Sequence, residues 1–100
     1  MASEKDQIMC TRTVVVADAD GLHMRACSNV VRVLQAHEAA VNIRNGDRVA
    51  DGSSIFELLL LAAGQGTELV ILAQGPDAEQ AVEALVEVLS ATSSSDGTQG

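Results

Sequence analysis

Residues 40–50 read Ala40-Val41-Asn42-Ile43-Arg44-Asn45-Gly46-Asp47-Arg48-Val49-Ala50. Two short runs, residues 40–44 and 48–50, flank Asn45-Gly46, a pair that accepts the positive φ values of a tight turn, so the segment predicts a two-strand hairpin. Antiparallel pairing is thereby set in the middle of the chain.

Outward toward the amino terminus, residues 11–17 are rich in β-branched side chains and run into Asp18-Ala19-Asp20-Gly21. This predicts a strand and then a loop, because Asp and Gly turn the chain. From Arg25 onward the apolar residues Cys27, Val30, Val31 and Leu34 recur at i, i+3, i+4 and i+7, with Ser28, Asn29, Arg32 and Gln35 between them. That spacing is an amphipathic helix.

Outward toward the carboxyl terminus, Ser54-Ile55-Phe56-Glu57 has the S-x-x-E form of a capping box, and Ile55, Leu58, Leu59 and Ala62 give a short helix one apolar face before Gly64 and Gly66. The run from Leu58 to Leu61 exceeds what one buried face needs, which predicts that part of it is exposed for a partner. Residues 68–73 form an apolar strand, and Gly75-Pro76-Asp77 breaks it. Ala78, Val82, Leu85, Val86 and Leu89 then line one face of a closing helix. The element order is βαββαβα, an α+β arrangement.

The chain has 100 residues, enough for one domain with a single core. Hydrophobic residues make up 47% of it but Phe56 is the sole aromatic, so the core is built from Val, Leu, Ile and Ala. All six basic residues (Lys5, Arg12, Arg25, Arg32, Arg44, Arg48) lie in the first half, and the net charge is -8. Nucleic acid is therefore an unsuitable partner, since phosphate neutralisation needs clustered cations and single-strand binders add aromatic platforms.

No stretch approaches the ~20 apolar residues of a membrane span, and the first residues lack the pattern of a secretion signal. A cytoplasmic location is expected. Cys10 and Cys27 are too few for a disulfide framework and show no metal-ligand spacing; Cys27 reads as a small core residue. Neither a metal nor a cofactor is implied. Residues 1–10 read as a flexible N-terminal segment, 11–90 as the folded domain and 91–100, rich in Ser, Thr and Gly, as a disordered tail.

The chemistry concentrates at Gly21-Leu22-His23-Met24-Arg25. A loop that turns at Gly21 and enters a helix near Met24 sets unpaired backbone N–H groups and the positive helix end beside His23. That end disfavours a cationic imidazole and favours a dianionic phosphoryl group attached to it. Arg25 adds a fixed charge with donors suited to phosphate oxygens. The bland reading of the same residues is that His23 caps the helix and Arg25 is a solvated first-turn residue.

Gly21-Leu22-His23-Met24-Arg25-Ala26-Cys27 resembles the signature G-[LIV]-H-x-R-P-[AGS] of the HPr family, the phosphocarriers of the bacterial sugar phosphotransferase system. Ser54-Ile55-Phe56-Glu57-Leu58, running to Gly64-Gln65-Gly66-Thr67, resembles that family's short-helix segment with its regulatory serine. Met24, Ala26 and Cys27 depart from the signature, and Ala26 restores an N–H donor that proline lacks.

The resemblance implies an open-faced two-layer sandwich, with a four-stranded antiparallel sheet covered on one face by three helices. It implies a phosphohistidine at His23 Nδ1, formed by Enzyme I from phosphoenolpyruvate and passed to sugar permease components, with Arg25 attending the phosphoryl group. The protein is on this reading a carrier and not an enzyme in its own right. Docking surfaces of the family are apolar, and here Met24, Ile55, Phe56 and Leu59 supply one, with Glu57 an acid beside it.

Ser54 has two readings, a helix N-cap and, by the resemblance, the target of a serine kinase/phosphorylase. Ser53 stands where a lysine often precedes that serine, and is a second candidate. His37, at the end of the first helix, is assigned no role. Three other functions fit the residues: a regulatory paralogue acting in nitrogen or carbon control, a small acylphosphatase-like anion-binding enzyme, and a plain interaction domain.

Overall fold

The turn between the two hairpin strands is Gly46-Asp47 rather than Asn45-Gly46, for Asn45 pairs with Arg48 across the ladder. Gly46 has φ +64 and Asp47 has no positive φ, so only the first central position needs the left-handed conformation, the pattern of a II′ turn. Asn45 is drawn out of the turn by tertiary structure: its Nδ2 donates to the Leu61 carbonyl at 2.9 Å.

The computed structural model describes residues 8–91. The elements are β1 (Met9–Val15), α1 (Met24–Gln35), β2 (Ala40–Asn45), β3 (Arg48–Asp51), α2 (Ile55–Leu60), β4 (Glu68–Gln74) and α3 (Ala78–Ser90). This is the expected βαββαβα order. Strand β1 starts at Met9, so Met9 and Cys10 belong to the sheet, where they face Gln74 and Ala73, and not to a flexible segment. Residues 92–100 of the tail expected over 91–100, and residues 1–7 of the flexible segment expected over 1–10, lie outside the described residues.

The four strands form one antiparallel sheet in the order β1-β4-β2-β3. Strands β1 and β2 are joined through α1 and have β4 between them; β3 and β4 are joined through α2 and have β2 between them. The chain is thus two interleaved split β-α-β units. The three helices cover one face, giving the open-faced sandwich.

Period-2 burial sets which face that is. Val41 and Ile43 of β2, Ala50 of β3, and Leu69, Ile71 and Ala73 of β4 point inward and are buried. Cys27, Val30 and Leu34 of α1 meet them, as do Ala78, Ala81, Val82, Leu85 and Leu89 of α3. No aromatic ring enters this core; Phe56 is 70% exposed. Cys27 is fully buried, and burial pushes its thiol up from 9.0 to about 11, as expected of a packing residue.

The short helix departs from its sequence pattern at three points. Ser54 caps it, its Oγ accepting from the Glu57 N–H at 3.2 Å, but the reciprocal arm of the capping box is absent. The Ser54 N–H already donates to the Asp51 carbonyl, and Glu57 Oε1 instead accepts from the Asp51 N–H at 2.8 Å. Ala62 does not line the apolar face: with φ +53 it is exposed just past the helix end, in the left-handed position usually held by glycine. Leu58 and Leu61 are the buried anchors, and Leu60 is 55% exposed.

Replacing the cap by Ser54→Ala is expected to cost about 1 kcal/mol. The urea midpoint should fall accordingly with its slope unchanged, and an unchanged midpoint would remove the cap from the stability argument.

Candidate functional site

The loop between β1 and α1 is fixed by backbone contacts at both ends. Gly21 N–H donates to the Asp18 carbonyl at 2.9 Å, Leu22 N–H donates to the Ala63 carbonyl at 2.8 Å, and the Leu22 side chain is buried. Gly21 has φ +71, and a Cβ there would stand 2.5 Å from the Ala63 oxygen and 2.9 Å from the Gly64 Cα. Only glycine lets the two backbones approach so closely. The two motifs of the sequence therefore touch: the histidine loop rests on the segment that follows α2.

His23 is the residue before α1, extended at φ -89 and ψ 179, and it is half-buried. Its carbonyl accepts the Cys27 N–H at 2.9 Å, the first bond of the helix. Its Nδ1 accepts the Ala26 N–H at 3.4 Å. That donor is the one a proline at this position would not have.

Because Nδ1 accepts, it holds a lone pair, and in the neutral ring the proton sits on Nε2. Nε2–H donates to Asp18 Oδ2 at 3.2 Å, while Oδ1 of the same carboxylate accepts the Asp20 N–H at 2.9 Å. Asp18 is 8% exposed, the only buried charged residue described.

The expectation that His23 caps the helix and the expectation that it meets an anion-binding helix end thus describe one geometry. The N–H groups of Met24 and Arg25 are among those a helix leaves without internal partners. There is no acidic residue in the first turn to compete for them. Arg25 is exposed and, among the described residues, makes no ion pair. Its charge is available to an incoming group.

Asp18, Asp20 and His23 each bring one donor atom within 4.8 Å of the others. Three protein ligands fall short of the four of a structural zinc site, and Asp18 already spends both oxygens on neighbours.

The expected docking residues differ in exposure. Met24, at 60% exposure, and Phe56 point outward, whereas Ile55 and Leu59 are half-buried against the core. Within the run from Leu58 to Leu61, Leu60 is the most exposed residue, at 55%. A helix of six residues shows too few turns for a run of leucines to reveal which of them faces in.

At the second motif, Ser53 and Ser54 are occupied differently. Ser53 donates its hydroxyl and its N–H to Asp51 Oδ1 at 2.7 and 2.9 Å, and these bonds hold the Asp51 carboxyl below the usual carboxylate range. His37 Nδ1–H donates to the Val33 carbonyl at 2.8 Å, tying that ring to its own helix.

Sequence reasoning missed Asp18, read there only as a turn former. The available signal was an acid five residues before a histidine across a glycine turn, a spacing with meaning only if the loop folds back.

A four-stranded open-faced sandwich presenting a histidine at the start of its first helix defines a class of protein, and comparison with known proteins identifies it. Residues 10–91 match the family model described as the PTS HPr component phosphorylation site. The chain is 36% identical over 81 residues to the phosphocarrier protein HPr of Haemophilus influenzae, covering 81% of this chain and 95% of that protein. It is 30% identical to the phosphocarrier protein NPr of Shewanella violacea, over 80% of this chain and 88% of that one. The crystal structure of an HPr from Bacillus anthracis superposes with a TM-score of 0.77 at 30% identity, covering 81% of this chain and 96% of that chain.

The chain belongs to the HPr family of phosphotransferase-system phosphocarriers. The acylphosphatase-like reading, which rested on size, layering and an Arg at a loop before a helix, is set aside in favour of this family.

Proposed function

We propose that this protein carries a phosphoryl group on His23 Nδ1, received from Enzyme I and ultimately from phosphoenolpyruvate, and hands it to sugar-specific phosphotransferase components in the cytoplasm. The observation that carries the proposal is the aim of His23: its Nδ1 lone pair faces the start of α1, where N–H groups and the helix dipole favour an anion.

Arg25 supplies the mobile cation for the phosphoryl oxygens. The helix-end contribution is roughly 0.3–1 kcal/mol, enough to favour the phosphorylated form without trapping it. Met24, Phe56 and Leu60 form the apolar surface for partners, and Ile55 and Leu59 support it from beneath. No helix among the described residues is long and apolar enough to cross a membrane.

Serine regulation rests on the resemblance alone. Ser54 spends its hydroxyl oxygen on the cap, and Asp51 and Glu57 join the same turn, so a phosphate there would meet like charge. A second reading, a regulatory carrier, is favoured by the likeness to NPr. It differs in the acceptor and not in the chemistry at His23.

The test is incubation with Enzyme I from a matching system and phosphoenolpyruvate. An acid-labile phosphate on the protein, lost again on adding sugar permease components, is expected. Phosphorylation that no permease component discharges would favour the regulatory reading, and no phosphorylation by any Enzyme I would sink both.

A further inference from the structure

We infer that Asp18 is a positioning residue for His23: its carboxylate holds the ring in the tautomer whose lone pair is on Nδ1 and carries the charge that transfer places on the ring. The inference deepens the phosphocarrier reading and rests on it for the transfer step only.

Three contacts act together. Asp18 is buried, its Oδ1 is anchored by the Asp20 N–H at 2.9 Å, and its Oδ2 is thereby aimed at His23 Nε2, 3.2 Å away. Across the ring, the Ala26 N–H at 3.4 Å can meet only a lone pair on Nδ1. A carboxylate that accepts from one ring nitrogen fixes the tautomer and orientation of the other.

In the transfer step the Nδ1 lone pair forms the bond to phosphorus, and the bond between phosphorus and the donor breaks, its electron pair leaving with the donor. No proton need leave His23. The positive charge gained by the ring is shared with Nε2–H, which stays against the Asp18 carboxylate. When the group moves on, the Nδ1–P electrons return to the ring and the charge is discharged in the same place.

Asp18→Asn separates this role from a structural one. The Asp20 N–H needs an acceptor, so the amide keeps its oxygen there and turns its NH2 toward Nε2. A donor at that position reverses the ring: Nε2 must accept, and the proton moves to Nδ1. The variant is isosteric and keeps the loop contact.

The experiment is a long-range 1H–15N spectrum of the 15N-labelled protein at about pH 9, where a histidine ring is neutral. Alongside it runs the rate of phosphoryl transfer from phosphorylated Enzyme I. Wild type is expected to show Nε2–H, Asp18→Asn a shift toward Nδ1–H with transfer slowed on the order of 100-fold, and Asp18→Ala a mixture of tautomers.

Wild type with the proton on Nδ1, or Asp18→Asn with either the tautomer or the rate unchanged, would overturn the inference. The two readings fail separately. If no Enzyme I phosphorylates the wild type but the tautomers shift as stated, the carrier reading falls and Asp18 keeps its hold on the ring. If wild type is phosphorylated and the tautomers do not shift, only the role of Asp18 falls.

Discussion

His23→Ala is expected to abolish uptake of acid-labile phosphate from phosphorylated Enzyme I, whereas His37→Ala should leave it unchanged. The first outcome is expected because the His23 Nδ1 lone pair faces the start of α1, where it accepts the Ala26 N–H. The second follows because His37 is turned to the Val33 carbonyl of its own helix.

The loss has to be separated from a loss of fold. Removing the imidazole leaves the Ala26 N–H without its acceptor and the buried Asp18 carboxylate without its ring, at a cost of about 1–3 kcal/mol. His23→Gln restores a polar side chain at the helix start, and it should fold more stably than the alanine variant while accepting no phosphate. Residual phosphorylation in both variants at the wild-type rate would mean that another residue is the acceptor.

The second large effect is expected at Gly21. Gly21→Ala combines a left-handed φ of +71 with a Cβ 2.5 Å from the Ala63 oxygen, and neither partner is a side chain that can swing away. A non-glycine residue in that region costs ~1–2 kcal/mol, and the backbone clash raises the total to about 3 kcal/mol, a fall of about 12–24 °C in Tm for a domain of this size.

Gly46→Ala is the matched control, because Gly46 has φ +64 but nothing within 4 Å of the added Cβ. It should lose only the conformational part. Equal losses at the two positions in thermal unfolding would show that the close approach to Ala63 contributes nothing. If the loop instead shifts to relieve the clash, the Leu22 N–H loses the Ala63 carbonyl and His23 moves with it, so transfer falls as well as stability.

The hairpin, the two longer helices and the apolar strand 68–73 were legible because their periodicities repeat over enough residues to choose a face. The signature around His23 was legible for a different reason, the local pairing of a glycine turn with a helix start. What escaped was decided by contacts that no periodicity or motif encodes. Asn45 left the turn because Leu61 offers a carbonyl, Glu57 left the capping box because Asp51 had taken the Ser54 N–H, and Leu60 rather than Leu59 turned outward on a helix of six residues.

Strand order β1-β4-β2-β3 was equally out of reach, since no local pattern says which strand β4 enters between. Asp18 belongs to the same group. Its type suits a turn, and only the fold of residues 18–23 brings its second oxygen to the imidazole.

The most direct measurement is to phosphorylate the 15N-labelled protein with Enzyme I and phosphoenolpyruvate and to locate the phosphorus by its coupling to a single nitrogen. The geometry predicts His23 Nδ1, the atom that faces the Ala26 N–H. Phosphorus on His23 Nε2, on His37 or on Ser54 would contradict it.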